Sequence, residues 1–222
     1  MSQADVPENS LDIKHVRRDY TQGRLTRDSL QQDPMQQFAN WFQAAKDHPS
    51  QTDPTAFTVA TVSADGQPHQ RVVLLKEVRT DGFVFYTNYN SAKGQDIAHN
   101  PKVAMHFAWL ALEQQIRIEG HAEKISQAES ESYFYQRPRE SQLGALASSQ
   151  SSPIASRSEL EQHYHQLTEQ YEGKTIPMPA HWGGYLIKPQ RFEFWQGGRY
   201  RLHDRFVYQL GKHGWNVQRL QP

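Results

Sequence analysis

Cysteine is absent from this chain of 222 residues. Disulfides, thiol catalysis and Cys-ligated metal centres are thereby excluded. An excess of charge is also missing, since 24 Lys and Arg balance 24 Asp and Glu. General nucleic-acid binders and polybasic membrane binders need a net positive field, so both classes are set aside; a local anion site is not. No run approaches the roughly 20 apolar residues of a membrane span. The opening MSQADVPENS has no apolar signal core. A soluble cytoplasmic protein is the expectation. GxGxxG, Walker A, HExxH and Gly-x-Ser-x-Gly patterns are lacking too. His163 and His165 fall on different sides of a helix, which suits surface histidines better than a shared metal, and no metal is expected.

Against these absences stands one dense stretch, Trp195-Gln-Gly-Gly-Arg-Tyr-Arg-Leu-His-Asp-Arg205. A core strand carries few charges and no glycine pair. The glycines allow a tight turn or a close approach. Arginine forks suit phosphate, and a histidine can titrate near neutrality. Together they describe a pocket for a phosphorylated, aromatic small molecule.

The rest of the chain reads as strands around a helical section. Residues 1–30 are polar and read as a mobile arm, with residues 31–222 as a single domain. Asp33-Pro34 opens a helix with Met35, Phe38, Trp41, Phe42 and Ala45 on one face. Ala56–Val62, His69–Lys76 and Phe83–Thr87 are separated by Asp65-Gly66 and Asp81-Gly82, which predicts an antiparallel meander. Ser91 can cap a short helix, and strands follow at 103–109 and 115–125. Ser126-x-x-Glu129 and Ser158-x-x-Glu161 read as capping boxes. Strands return at 184–187, 191–195, 205–209 and 215–220. Alternating β-α-β units are missing, so the expected class is mainly β with flanking helices, an antiparallel barrel.

Several residues are candidates for chemistry, each beside a plainer reading. Arg71 and Lys76 bracket four apolar residues; on a regular strand they point to opposite faces, toward different anions or as snorkelling ends of a buried strand. Ser91-Ala-Lys93 at a helix start could grip phosphate, though a Ser N-cap is common. Tyr133, Arg137 and Ser141 could hold a second phosphate or simply end a helix. Arg17-Arg18-Asp19-Tyr20 could be functional or a solvated charge run. Gly183-Gly184 and Gly197-Gly198 suit turns better than phosphate loops.

Six segments occur in a familiar order: Arg71–Lys76, Phe85-Tyr-Thr-Asn88, Arg137-Pro-Arg-Glu-Ser-Gln142, Gln150-Ser-Ser152, Phe192–Gly198 and Arg201-Leu-His-Asp-Arg205. From about Arg17 onward the chain resembles the pyridoxamine 5'-phosphate oxidase family. The resemblance implies a split β-barrel and a homodimer with FMN between subunits. It also implies oxidation of pyridoxamine or pyridoxine 5'-phosphate by O2 to pyridoxal 5'-phosphate, with H2O2, in vitamin B6 biosynthesis and salvage. Cofactor contacts would fall on Arg71, Val72, Val73, Leu74, Leu75, Lys76, Tyr86, Thr87, Lys93, Gln115, Gln150, Ser151, Trp195 and Arg205. Substrate contacts would fall on Arg17, Arg18, Asp19, Tyr20, Lys76, Tyr133, Arg137, Ser141, Arg201, Leu202 and His203. Arg201 and His203 are the catalytic candidates. One departure is Ala92, where the family commonly has Arg beside the FMN phosphate. A carrier without turnover would lack Arg201 or His203, and a nicotinamide-dependent flavin reductase would not need Tyr133, Arg137 and Ser141; all five are present.

Overall fold

A computed structural model describes Leu11 and residues 13–222. Helix α1 (Pro34–Asp47) starts as expected: the Asp33 side chain accepts from the Met35 amide, and Pro34 takes a position that needs no amide. Phe38, Trp41 and Ala45 lie on its buried face. The strands are β1 (Ala56–Val62), β2 (Pro68–Leu74), β3 (Glu77–Arg79), β4 (Gly82–Asn88), β5 (Lys102–Trp109), β6 (Gln114–Lys124), β7 (Trp182–Gln196), β8 (Asp204–Gly211) and β9 (Gly214–Leu220). They form one curled sheet in the order β2-β1-β5-β6-β7-β4-β3, and β8 and β9 branch from β7. Every pairing is antiparallel.

Phe57, Phe83, Phe107, Phe192 and Phe194 fill the interior, and α1 closes it. Phe38 meets Phe83 at 4.8 Å and Phe107 at 5.2 Å between ring centroids. Burying one such side chain contributes about 3 kcal/mol.

The expected meander is not what forms. The Leu75 amide donates to Thr55, whereas the next amide, Lys76, donates to Val84 on β4. The chain changes partner between adjacent residues, because Leu75 turns into the core. The Asp81-Gly82 hairpin therefore joins β4 to the short β3, and the other edge of β4 pairs with β7. The two strands expected at 184–187 and 191–195 are one, β7, with Gly183-Gly184 inside it and not in a turn. Pro189 is tolerated because it sits at the bulge opposite Gly120. A Cβ at Gly120 would lie 2.2 Å from the Lys188 carbonyl oxygen, so this approach requires glycine.

Three helices pack beside the sheet around Phe134, Leu143, Leu167 and Trp182. The reciprocal Ser126–Glu129 box starts α3 (Gln127–Gln136, after the shorter α2, Ala92–His99). Pro138 separates α3 from α4 (Arg139–Ala147). Helix α5 (Arg157–Gln170) begins before the expected Ser158 box, with Ser156 accepting from the Glu159 amide. Glu161 is instead bonded at 2.6 Å by Arg157. Of the stretch expected as an arm, residues 1–10 and 12 lie outside the described residues. Further on it is fixed to the sheet: the Leu25 amide donates to Asp204 and the Leu25 carbonyl accepts from Arg219. No described helix is long and apolar enough to cross a membrane.

Candidate active site

A cavity of about 700 Å³ opens between β2, β4, α2 and the α3–α4 junction. Arg71 and Lys76, expected on opposite faces, both line it, because β2 stops at Leu74. Val72, Val73 and Leu74 line it too, whereas Leu75 is buried in the core. From β4 come Tyr86 and Thr87.

Lys93 is held where α2 begins. Its Nζ donates to Gln150 Oε1 at 2.7 Å, Thr87 Oγ1 at 3.1 Å and Ser91 Oγ at 3.3 Å. These partners are neutral; no carboxylate bonds it among the described residues. Burial, reinforced by the charge of Arg71, lowers its pKa to about 8. Arg71 donates to Thr61 Oγ1 at 2.6 Å, and Thr61 donates in turn to Asp96 at 2.6 Å. Burial pushes the Asp96 carboxyl up, but the bonds from Thr61 and His69 outweigh it and hold it below its ordinary value. Asp96 also pairs with the Arg71 guanidinium at 3.8 Å, so of the two cations Lys93 is the one whose bonded partners are all neutral. Ala92 is the first residue of α2 and is exposed.

Tyr133, Arg137 and Ser141 line the same cavity. Tyr86 stacks on Tyr133, at 4.0 Å, and on Trp182, at 5.3 Å, and those two rings are 6.3 Å apart. The Arg137 guanidinium lies over Trp182 at 4.8 Å. Its Nη1 is buried and has no hydrogen-bond partner among the described residues. Arg137 does end α3, as the plainer reading had it, and that end aims a desolvated guanidinium into the cavity.

The remaining candidates lie elsewhere in the chain. Gln115, Trp195 and Arg205 line a separate cavity of about 450 Å³, where Glu193 binds the Arg205 Nε at 2.8 Å. Arg201 joins Arg17, Arg18, Asp19 and Tyr20 around a third cavity, of about 410 Å³. His203 packs on Trp195 at 4.6 Å, and its pKa is lowered by burial and by Arg201 and Arg205. Leu202 is exposed, as is Ser151, which has a φ of 72°. One chain therefore does not gather the whole candidate set.

Residues 35–171 match the family model described as Pyridoxamine 5'-phosphate oxidase. Residues 182–222 match the Pyridoxine 5'-phosphate oxidase C-terminal dimerisation region. The chain is 51% identical to the pyridoxine/pyridoxamine 5'-phosphate oxidase of Idiomarina loihiensis, across 96% of this chain and 100% of the relative. Identity to the same enzyme of Vibrio cholerae is also 51%, with the same coverage. The chain belongs to the pyridoxamine 5'-phosphate oxidase family.

It is an oxidoreductase of that family, and the matched C-terminal region supports a homodimer. The crystal structure of PhzG from Burkholderia lata, in complex with tetrahydrophenazine-1-carboxylic acid, superposes with a TM-score of 0.83 at 27% identity, covering 88% of this chain and 95% of that one. An FMN-binding protein related to the family, from Nostoc punctiforme, shares the fold with a TM-score of 0.66 at 15% identity, over 87% of this chain and 100% of its own. Family membership also bears on the scattered residues: Trp195, Arg201, His203 and Arg205 all fall within the dimerisation region.

Sequence reasoning missed Trp182, Thr61, Asp96, Glu113 and Glu193. Trp182 carried a signal, being an aromatic beside a glycine pair after a segment with two prolines. The others are ordinary strand, helix and turn residues whose partners are remote in sequence.

Proposed function

We propose that the protein oxidises pyridoxamine and pyridoxine 5'-phosphate to pyridoxal 5'-phosphate in the cytoplasm as an FMN-dependent homodimer. The observation that carries this reading is the pair of anion-deficient places in one cavity: Lys93, whose bonded partners are all neutral, and the unpartnered Nη1 of Arg137. A buried cation is costly unless an anion joins it. Two phosphates, one of the cofactor and one of the substrate, answer both places. The residues present therefore fit FMN.

Arg71, Lys93, Thr87 and Gln150 would hold the FMN phosphate, with Val72–Leu74 alongside the cofactor. Lys76, Tyr133, Arg137 and Ser141 would hold the substrate phosphate, a remote grip that fixes the ring for reaction. When bound, FMN would supply the two-electron acceptor for hydride transfer from substrate C4' to flavin N5, with O2 as the terminal oxidant giving H2O2. A second copy would bring Gln115, Trp195 and Arg205 to the cofactor and Arg201 and His203 to the substrate ring. Arg201 would then orient the ring. Residues 17–20, at the base of the 1–30 arm, would flank the ring on the 31–222 domain.

The test is an oxidase assay in air with pyridoxamine 5'-phosphate, after the visible spectrum of the purified protein has been recorded. Aldehyde and peroxide should form in equal amounts from a yellow protein. A yellow protein without turnover would sink the oxidase reading in favour of a carrier or a reductase.

A further inference from the structure

We infer that Glu113 is a positioning residue that fastens the N-terminal segment and the Gly197–His203 loop to one another, and so shapes the wall that meets the substrate ring. The identity of that ring rests on the proposed function; the fastening does not.

Glu113 follows a single turn between β5 and β6, with φ 56° and ψ 36°. This left-handed conformation is unfavourable for a residue with a side chain. Glu113 is also only 3% exposed, and a buried carboxylate is unfavourable unless it is well bonded. Both halves of the residue are engaged. The carboxylate takes the N-terminal segment: Oε2 accepts from the Thr21 amide at 2.6 Å and the Gln22 amide at 2.9 Å, and Oε1 accepts from Arg18 at 3.2 Å. The main-chain carbonyl takes the loop, accepting from the Gly197 amide at 2.8 Å and from Gln196 Nε2 at 3.3 Å.

The consequence is the seat of Tyr20. A Cβ at Gly197 would lie 2.6 Å from the Tyr20 ring and 3.0 Å from the Glu113 Cβ, so Tyr20 rests directly on the glycine backbone. From there it meets Trp195 edge-on at 5.6 Å and His203 at 5.4 Å. The Arg201 guanidinium is 5.9 Å from its ring centroid. Asp19 and Tyr20 form one wall of the third cavity, Gly198 and Arg201 the other. Glu113 is the residue bonded to both segments.

The test uses the full-length, FMN-loaded protein and two variants, Glu113→Gly and Glu113→Gln. Glycine keeps the left-handed backbone and removes the carboxylate. Tryptic cleavage after Arg18 and Arg24 should speed up about tenfold in Glu113→Gly, because three hydrogen bonds to a charged group are lost. The kcat for pyridoxamine 5'-phosphate should fall by a similar factor as the ring loses its alignment, with the flavin spectrum unchanged. Glu113→Gln, isosteric and still able to accept from the amides, should fall between and serves alone if the glycine variant does not fold. Wild-type cleavage rates in the variants would overturn the fastening. Faster cleavage with an unchanged kcat would overturn the link to substrate. If the wild type does not oxidise the substrate at all, the proposed function fails while the cleavage rates still decide the fastening.

Discussion

The cavity below β2 and β4 and the segment around Arg201 both hold charged candidates, on opposite kinds of support. In the first, Arg71, Lys93 and Arg137 sit on a strand, at a helix start and at a helix end. Their backbone is relaxed, and what is unfavourable is electrostatic: burial lowers the pKa of all three. In the second, Tyr200 and Arg201 have φ of 58° and 65°, and Tyr200 is 87% exposed. Here the charge is easily solvated and what is unfavourable is the backbone. A desolvated cation gains by binding an anion, so the first region is suited to affinity. A fixed, irregular loop controls direction, so the second is suited to orientation.

The largest effects should separate these two roles. Arg201→Ala should lower kcat about 100-fold, as expected when a reacting ring loses its alignment, while leaving the flavin content unchanged. Steady-state kinetics with a flavin absorbance check would show it, and unchanged turnover would remove Arg201 from its role. Arg137→Ala should raise KM by about 10- to 100-fold through loss of charge-assisted bonds to phosphate, with kcat at saturation close to that of the wild type. An unchanged KM would move the substrate phosphate elsewhere. If the two variants exchanged signatures, the division between affinity and orientation would be wrong.

The same division explains what could be read from the sequence. Asp33-Pro34 and Ser126-x-x-Glu129 specify helix starts through contacts a few residues apart, and both form as read. The β-branched, apolar run Ala56–Val62 likewise gives β1. Errors came where a distant partner decided the outcome. Nothing local shows that Leu75 and Lys76 bond to different strands, or that Gly120 across the sheet accommodates Pro189. In the site, residue type revealed the cations, but not their context. Arg137 looks like a helix end until Trp182, remote in sequence, is placed beneath it. The grouping of Arg17–Tyr20 with Arg201 depends on the buried Glu113, which has no motif of its own.

A smaller effect tests the electrostatic half directly. Lys93 has a pKa of about 8 in the free protein, and bound phosphate favours its charged form. A phosphomonoester is already dianionic above about pH 7. FMN affinity should therefore fall as pH rises through about 8, by at most about tenfold per pH unit. Riboflavin, lacking the phosphate, should show no such slope, and neither should Lys93→Met with FMN. Flavin fluorescence titrations at several pH values would measure this. The sign for stability is opposite: the unfolded chain binds more protons at this lysine between pH 8 and its ordinary value of 10.5, so the ligand-free protein should gain stability as pH rises across that window. A slope shared by FMN and riboflavin would place the titrating group away from the phosphate.

The smallest effect tests the backbone half. Tyr200→Gly removes a left-handed penalty of about 1 kcal/mol but adds a comparable loss of unfolded-state entropy. The exposed ring contributes little packing in the single chain. The two terms nearly cancel, so the melting temperature should move by less than about 2 °C. The irregular loop is then inexpensive to keep, and its value lies in directing Arg201. Loss of more than about 1 kcal/mol would mean that the Tyr200 ring is covered in the homodimer. A dilution series of thermal melts would then show the variant losing stability at a higher protein concentration than the wild type.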